Sequence, residues 1–204
     1  SASVEYITNQ ENIVETRRDN QGISISFEDS STLWFNRWGR FERLDEPFEI
    51  REGQEIPVGD YPFTEYSTVF STNQSRMFSG RVALRKGDFF DGEKDSYEME
   101  LSFQPSYHLG ADISWTYDDI NLPSGDFTTH LVTSRWHYSF NPYMFLNALI
   151  QYNSTLKEIS SNIRFNFIYK PLSDLFLVYN ERRSTTGEVV ERAFIAKLTY
   201  VFDF

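Results

Sequence analysis

Short runs in which apolar and polar residues alternate recur along the whole chain, separated by stretches rich in turn-forming residues. The clearest covers 159–170. Ile159, Ser161, Ile163, Phe165, Phe167 and Tyr169 share one parity, and Ser160, Asn162, Arg164, Asn166, Ile168 and Lys170 share the other. A period of two marks a strand with unlike faces. The same pattern sets Tyr97, Met99, Leu101 and Phe103 against Glu98, Glu100, Ser102 and Gln104. It sets Ala111, Ile113, Trp115 and Tyr117 against Asp112, Ser114, Thr116 and Asp118, and Val132, Trp136, Tyr138 and Phe140 against Thr133, Arg135, His137 and Ser139. The segment 144–153 is weaker, because Phe145 and Leu149 fall on its polar parity, and 174–182 is too apolar to orient. The final stretch, 193–204, puts Phe194, Ala196, Leu198, Tyr200, Phe202 and Phe204 on one parity. Earlier candidates are 2–8, a long segment ending at Phe27, 33–44, 61–72 and 78–86. This makes about twelve segments, each with the weak signal of a barrel strand. No stretch holds a helical period with caps at both ends, so the expectation is all-β.

Alternation alone fits a soluble barrel or sandwich, which turns its apolar face inward, as well as the inverted case. Three features favour inversion. The apolar parity is rich in Trp, Tyr and Phe near strand ends, as in interfacial girdles. The segments run to about ten residues, enough to cross a bilayer when tilted. Connections alternate between tight and long: tight at 29–31, 73–75, 104–106, 141–142 and 171–173; long at 45–60, 87–95, 119–126, 153–158 and 183–190. The fold expected is therefore an antiparallel up-and-down transmembrane β-barrel of about 12 strands, with short periplasmic turns and longer outer loops. Lipid cannot satisfy a free sheet edge, so such a sheet must close. The whole of 1–204 reads as barrel.

Composition sharpens this. Lys and Arg number 19 against 30 Asp and Glu, a net charge of −11, which excludes the basic footprint of a nucleic-acid binder. There is no Cys, hence no disulfide framework and no thiolate metal site. Mean hydropathy is −0.48, but that average is uninformative for barrels, whose strands face lipid at alternate residues only. No apolar run is long enough for a membrane helix. No signal peptide begins the sequence, so the expectation is a mature form or an internal fragment.

Two resemblances follow from these residues. The C-terminal stretch resembles the signal strand that bacterial barrel-assembly machinery reads, which implies that role for Tyr200, Phe202 and Phe204. The runs Asn162–Asn166, Tyr169–Asn180 and Lys197–Tyr200, with echoes at Pro57–Tyr61, Gly87–Gly92, Leu122–Phe127 and Leu149–Asn153, resemble a largely uncharacterised family. Its members join a carbohydrate-binding-like domain, similar to family nine, to a C-terminal outer-membrane barrel. The resemblance implies a bacterial outer-membrane location and the C-terminal part of a larger protein. It supplies no catalytic residues.

Candidate chemistry lies on the polar parity. Arg81, Arg85, Arg135, Arg164 and Lys197 stand with Glu98, Glu100, Asp112 and Asn166 as lumen-lining residues. Mixed charge of this kind either lines a water path and sets selectivity or forms ion-paired plugs, and the pattern leaves both open. The acidic segment 45–60 lacks the spacing of a calcium loop and reads as a solvated outer loop. The Gly87–Gly92 run has no Lys and no following helix for a phosphate cradle. His108, His130 and His137 are the only imidazoles, and none has a local nucleophile or orienting partner. The expectation is a non-enzymatic channel or binding pore for a small polar solute, oligosaccharide among the candidates, without cofactor or metal. A non-conducting anchor or subunit of an envelope complex is the alternative, and a barrel-embedded hydrolase the third. Expected partners are the lipid bilayer, the assembly machinery and an N-terminal domain or complex.

Overall fold

The computed structural model describes residues 1–8 and 14–201. They form β1 (Ala2–Thr8), β2 (Val14–Ser26), β3 (Thr32–Leu44), β4 (Phe48–Arg51), β5 (Gln54–Ile56), β6 (Gly59–Ser71), β7 (Phe78–Phe89), β8 (Gly92–Phe103), β9 (Leu109–Leu122), β10 (Gly125–Asn141), β11 (Met144–Asn153), β12 (Glu158–Lys170), β13 (Ser173–Ser184) and β14 (Val189–Thr199). Twelve of these make one sheet whose strand order follows chain order, β1-β2-β3-β6 through β14, while β4 and β5 pair as a separate hairpin. Every register resolved is antiparallel. This is the all-β up-and-down meander that the alternation predicts.

Connections at the 29–31 side run from two residues, at 142–143 and 171–172, to six, at 72–77. At the other side the β3–β6 connection is the longest among the described residues and carries β4 and β5, while the rest span two to four residues. The stretches 87–95 and 119–126, which read as loops, are mostly strand, and turns at 90–91 and 123–124 close them. Gly92 permits this, because a Cβ there would stand 2.0 Å from the Asn121 carbonyl oxygen on β9. The last strand begins at Val189 and ends at Thr199, earlier at both ends than the pattern suggests. Phe202 and Phe204 lie outside the described residues. Tyr200 stacks on Tyr169 at 6.4 Å under the Lys170 ammonium.

Contacts group the chain into two compact units. One comprises Ser1–Asn73, Arg81–Glu98 and Tyr117–Thr128; the other Gln74–Gly80, Met99–Thr116 and Thr129–Phe204. In the first unit, the registers align Ile25, Leu33, Phe70 and Val82 in one row across four strands, and Ile23, Phe35, Thr68 and Leu84 in the next. The opposite face aligns Asn36, Ser67 and Arg85. In the second unit, one face carries Tyr138, Leu146, Phe165, Leu177 and Ala196 in a row, followed by Trp136, Ala148, Ile163, Tyr179 and Phe194. The reverse face carries His137, Asn147, Arg164, Val178 and Ile195.

The apolar rows are the exposed ones. Ile23 is 71% accessible and Phe194 67%, while Ser67 and Ala83 on the polar face are 5% and 0%. Leu101 and Ile113 are also exposed, so they form no dry centre. Among the described residues the largest fully buried side chains are Ile56 and Ser173. A soluble domain of this length buries far more than that, and seldom exposes contiguous apolar rows.

The exposed face changes character along the strands. Aromatic residues border the apolar band: Phe78 stacks on Phe103 at 4.4 Å near the short turns, and Tyr97 meets Tyr117 at 5.9 Å towards the other side. Beyond the band, outward positions become charged and paired. In the first unit Arg37 meets Asp19 at 3.0 Å, Arg43 meets Asp60 at 2.6 Å and Lys86 meets Asp95 at 2.9 Å. In the second unit Glu181 holds Arg183 at 2.9 Å and Arg192 at 2.6 Å. Apolar centre, aromatic borders and charged rim are what a bilayer's thickness imposes on a spanning sheet.

Candidate functional site

Several cations on the polar face of the first unit meet carboxylates. Arg81 donates to Glu98 Oε2 at 3.2 Å, and Arg85 donates to the same carboxylate. Lys94 lies 3.6 Å from Asp118, which also accepts from Ser96 Oγ at 2.5 Å. Arg40 reaches Glu65 at 4.0 Å. Above these, the β4–β5 hairpin is latched by aromatic contacts. Phe90 touches Phe48, Tyr61 and Phe63 at centroid distances of 6.2, 5.5 and 5.7 Å, and Arg51 lies over Phe127. The acidic segment 45–60 is thus partly a folded hairpin rather than a loose loop. Among the described residues no group of three or more His, Asp or Glu side chains converges to hold a metal ion.

The polar face of the second unit is different. A cavity of about 440 Å³ opens there, bordered by Asp112 on β9, Arg135 and His137 on β10, Asn147 on β11, and Asn162 and Arg164 on β12. The strand registers explain the grouping: His137 faces Asn147, Asn147 faces Arg164, and Leu149 lies between Arg135 and Asn162. Asp112 accepts from Ser102 Oγ at 2.5 Å. His137 Nδ1 lies 2.8 Å from Asn147 Oδ1, and its Nε2 lies 2.9 Å from Ser139 Oγ. Asn162 donates to Asn180. The Arg164 guanidinium sits 5.3 Å over the Phe176 ring. Among the described residues neither Arg135 nor Arg164 has a carboxylate within ion-pair distance, and nor does Lys197.

The nine residues singled out on the polar parity separate into three groups and a single residue, Glu100. Arg81, Arg85 and Glu98 are one ion-paired cluster. Asp112, Arg135 and Arg164 border the cavity. Asn166 and Lys197 face Phe176 from its two neighbouring strands, and Glu100 keeps the parity of Glu98 and Ser102 on β8. The sequence reading did not select Gln104, Tyr107, His137, Asn147 or Asn162 as lining residues, although all five border the cavity. Parity placed Asn162 and His137 on the correct face; only cross-strand register identifies them as neighbours of one space.

His137 contacts an amide and a hydroxyl, and His108 Nδ1 lies 2.6 Å from the Ser139 carbonyl. The His130 ring stacks near Trp115 at 6.4 Å, and its backbone N–H donates to Ser154 Oγ at 2.7 Å. At the rim, Tyr179, Arg183 and Arg192 all donate to Glu181, which holds its carboxyl down at about 2. That group lies beyond the apolar band.

The site therefore belongs to an amphipathic antiparallel meander with its polar face furnished and its apolar face bare. No protein-family model and no curated protein matches the chain. Among solved structures it is similar to a KdgM porin in complex with disordered oligogalacturonate, at 10% identity and a TM-score of 0.36, over 97% of this chain and 92% of that one. A second KdgM porin structure matches at 10% identity and a TM-score of 0.34, over 89% of each chain. At that level of similarity neither structure defines this chain's family.

Proposed function

We propose that the protein is an outer-membrane β-barrel whose polar face binds and passes a small polar solute, oligosaccharides being one candidate class. The observation that carries this is the inversion of the two faces. Rows such as Tyr138–Leu146–Phe165–Leu177–Ala196 lie on the exposed side, and apolar rows of that length need lipid or a partner as solvent. The furnished face is then the water-facing one, and its cavity of about 440 Å³ suits a solute of one or two sugar rings. The bilayer is the principal partner, and assembly machinery would read the segment around Tyr200, Phe202 and Phe204.

Planar-bilayer recording tests the channel. Purified protein is expected to give discrete conductance steps. A protein that inserts and stays silent at every voltage and pH removes solute passage. A silent barrel is the second reading: a membrane anchor for an N-terminal domain, such as the carbohydrate-binding-like one that the sequence resemblance implies. What favours it is the Arg81–Glu98–Arg85 cluster, with Lys94–Asp118 and the latched hairpin on the same unit, an arrangement that can fill space as readily as conduct.

A further inference from the structure

We infer that the outward rim of the first unit is a binding site for a phosphoethanolamine lipid, one whose headgroup joins a phosphate to a primary ammonium. The inference rests on the bilayer part of the proposed function and not on solute passage.

The order of chemistries along the strands is the starting point. On β7 the outward positions run Leu84, Lys86, Asp88. On β3 they run Phe35, Arg37, Gly39. Gly39 faces Asp19 of β2, and a Cβ there would collide with the Asp19 carboxylate, which therefore takes the place of a Gly39 side chain. Each strand thus reads apolar, cation, acid on leaving the apolar band. Between them β6 presents Thr68, Tyr66 and Thr64, and register sets Tyr66 opposite both Arg37 and Lys86. The two cations stand two strands apart, roughly 9–10 Å, with the exposed Tyr66 ring between them. A space of about 390 Å³ opens at this place, bordered by Arg37, Thr64, Tyr66, Lys86, Asp88 and Glu93.

That order matches one class of headgroup. An acyl chain lies along Phe35 and Leu84, and its phosphate then arrives at the level of the cations. Arg37 donates to Asp19 at 3.0 Å and Lys86 to Asp95 at 2.9 Å. A guanidinium has five N–H donors and an ammonium three, so both cations keep donors for a phosphate. Asp88 and Glu93 lie one step further from the band. One oxygen of Asp88 accepts from the Thr64 backbone N–H at 3.1 Å, and a primary ammonium suits the other. A headgroup with a second negative charge at that level meets repulsion. A quaternary ammonium brings charge without N–H donors, and a hydroxyl brings a donor without charge. The rim therefore selects a phosphate and a primary ammonium, in that order outward from the hydrocarbon.

The test uses the full chain folded in detergent micelles and titrated with phosphatidylethanolamine, phosphatidylcholine or phosphatidylglycerol of matched acyl chains, with bound lipid counted by native mass spectrometry. Phosphatidylethanolamine is expected to bind about tenfold tighter than either of the others, the size of one charge-assisted hydrogen bond. The double variant Arg37→Gln/Lys86→Gln weakens all three lipids. Asp88→Asn/Glu93→Gln loses only the preference for phosphatidylethanolamine, and Arg76→Gln in the 72–77 connection changes neither. Circular dichroism confirms that each variant holds its sheet. Equal affinity for the three lipids overturns the inference, as does a preference that survives Asp88→Asn/Glu93→Gln. Displacement of the lipid by soluble glycerophosphoethanolamine at equal concentration overturns its assignment to a lipid. A monomeric fold in plain buffer removes the bilayer itself, whereas a chain that folds only in lipid or detergent and shows no headgroup preference removes this site alone.

Discussion

Phe165 shows what one position can report. It lies in the row of Tyr138, Leu146, Leu177 and Ala196, with Arg164 and Asn166 as its sequence neighbours on the opposite face. Phe165→Arg puts a guanidinium into the middle of the apolar band and is expected to cost roughly 2–4 kcal/mol in lipid. Urea titration of protein folded in bilayers checks this, and a near-zero cost would reverse the assigned facing. Glu181 makes a separate point at the same scale. Its folded-state value of about 2 lies below that of a free carboxylate. A depressed acid contributes stability that is full above the unfolded value and lost as pH falls through the folded one. The window is therefore from the ordinary glutamate range down to about pH 2, and the effect belongs to the rim joining β13 and β14. Glu181→Gln is expected to be less stable than the parent at neutral pH and to lose less across that window, so that the two converge near pH 2. Parallel acid series on the two proteins would show it, and superimposable curves would contradict it. Its partners Arg183 and Arg192 are solvent-exposed, so salt screening should shrink the difference.

The strands show where alternation is informative and where it stops. All twelve sheet strands were legible as segments, most of them because the two faces differ at alternate residues within the apolar band, although 144–153 and 174–182 take their facing only from register. The loop-side ends were not. There the outward parity passes from Leu84 to Lys86 and Asp88, and from Tyr117 to Asp119 and Asn121, so both faces become polar while the backbone goes on pairing. Hydrogen bonding continues where the solvent has changed, and a solvent pattern cannot report it. The β4–β5 hairpin escaped for another reason: strands of four and three residues are too short to show a period. It depends on a long-range aromatic contact instead. Phe90 holds φ at 52°, a left-handed conformation that a bulky residue adopts only when the surroundings fix it. Those surroundings are Phe48, Tyr61, Phe63 and Phe89. Phe90→Ala is expected to release the hairpin and make Arg51 a tryptic site, with global stability falling far less than protease resistance. Phe90→Gly relieves the backbone while removing the ring, so it should give the same cleavage with a smaller stability loss. Uncleaved Arg51 in both variants would mean that the ring contacts do not hold the hairpin.

For the molecule as a whole, the two faces decide where folding can occur. In water, forming the sheet would satisfy the backbone but leave rows such as Ile25–Leu33–Phe70–Val82 against solvent. At about 25 cal/mol per Å² the apolar surface gains nothing from that pairing unless something covers it. Hydrogen bonds alone leave a net of only about 1 kcal/mol each, less than the roughly 1–2 kcal/mol of backbone entropy lost per residue ordered. Burial in hydrocarbon supplies the missing term. Chain diluted from urea into buffer is therefore expected to stay disordered or aggregate, and the same dilution into micelles or bilayers is expected to yield the β-sheet spectrum. The charged rim adds a condition on thickness. The paired side chains from Asp19–Arg37 in one unit and Glu181–Arg192 in the other must stay wet, so hydrocarbon thick enough to reach them forces desolvation of ion pairs. Folding yield should rise from buffer to thin bilayers and fall again as acyl chains lengthen. A chain that reaches a cooperative, monomeric β-sheet fold in plain buffer would show that the apolar rows find cover within the protein, and both the membrane assignment and the channel would fall with it.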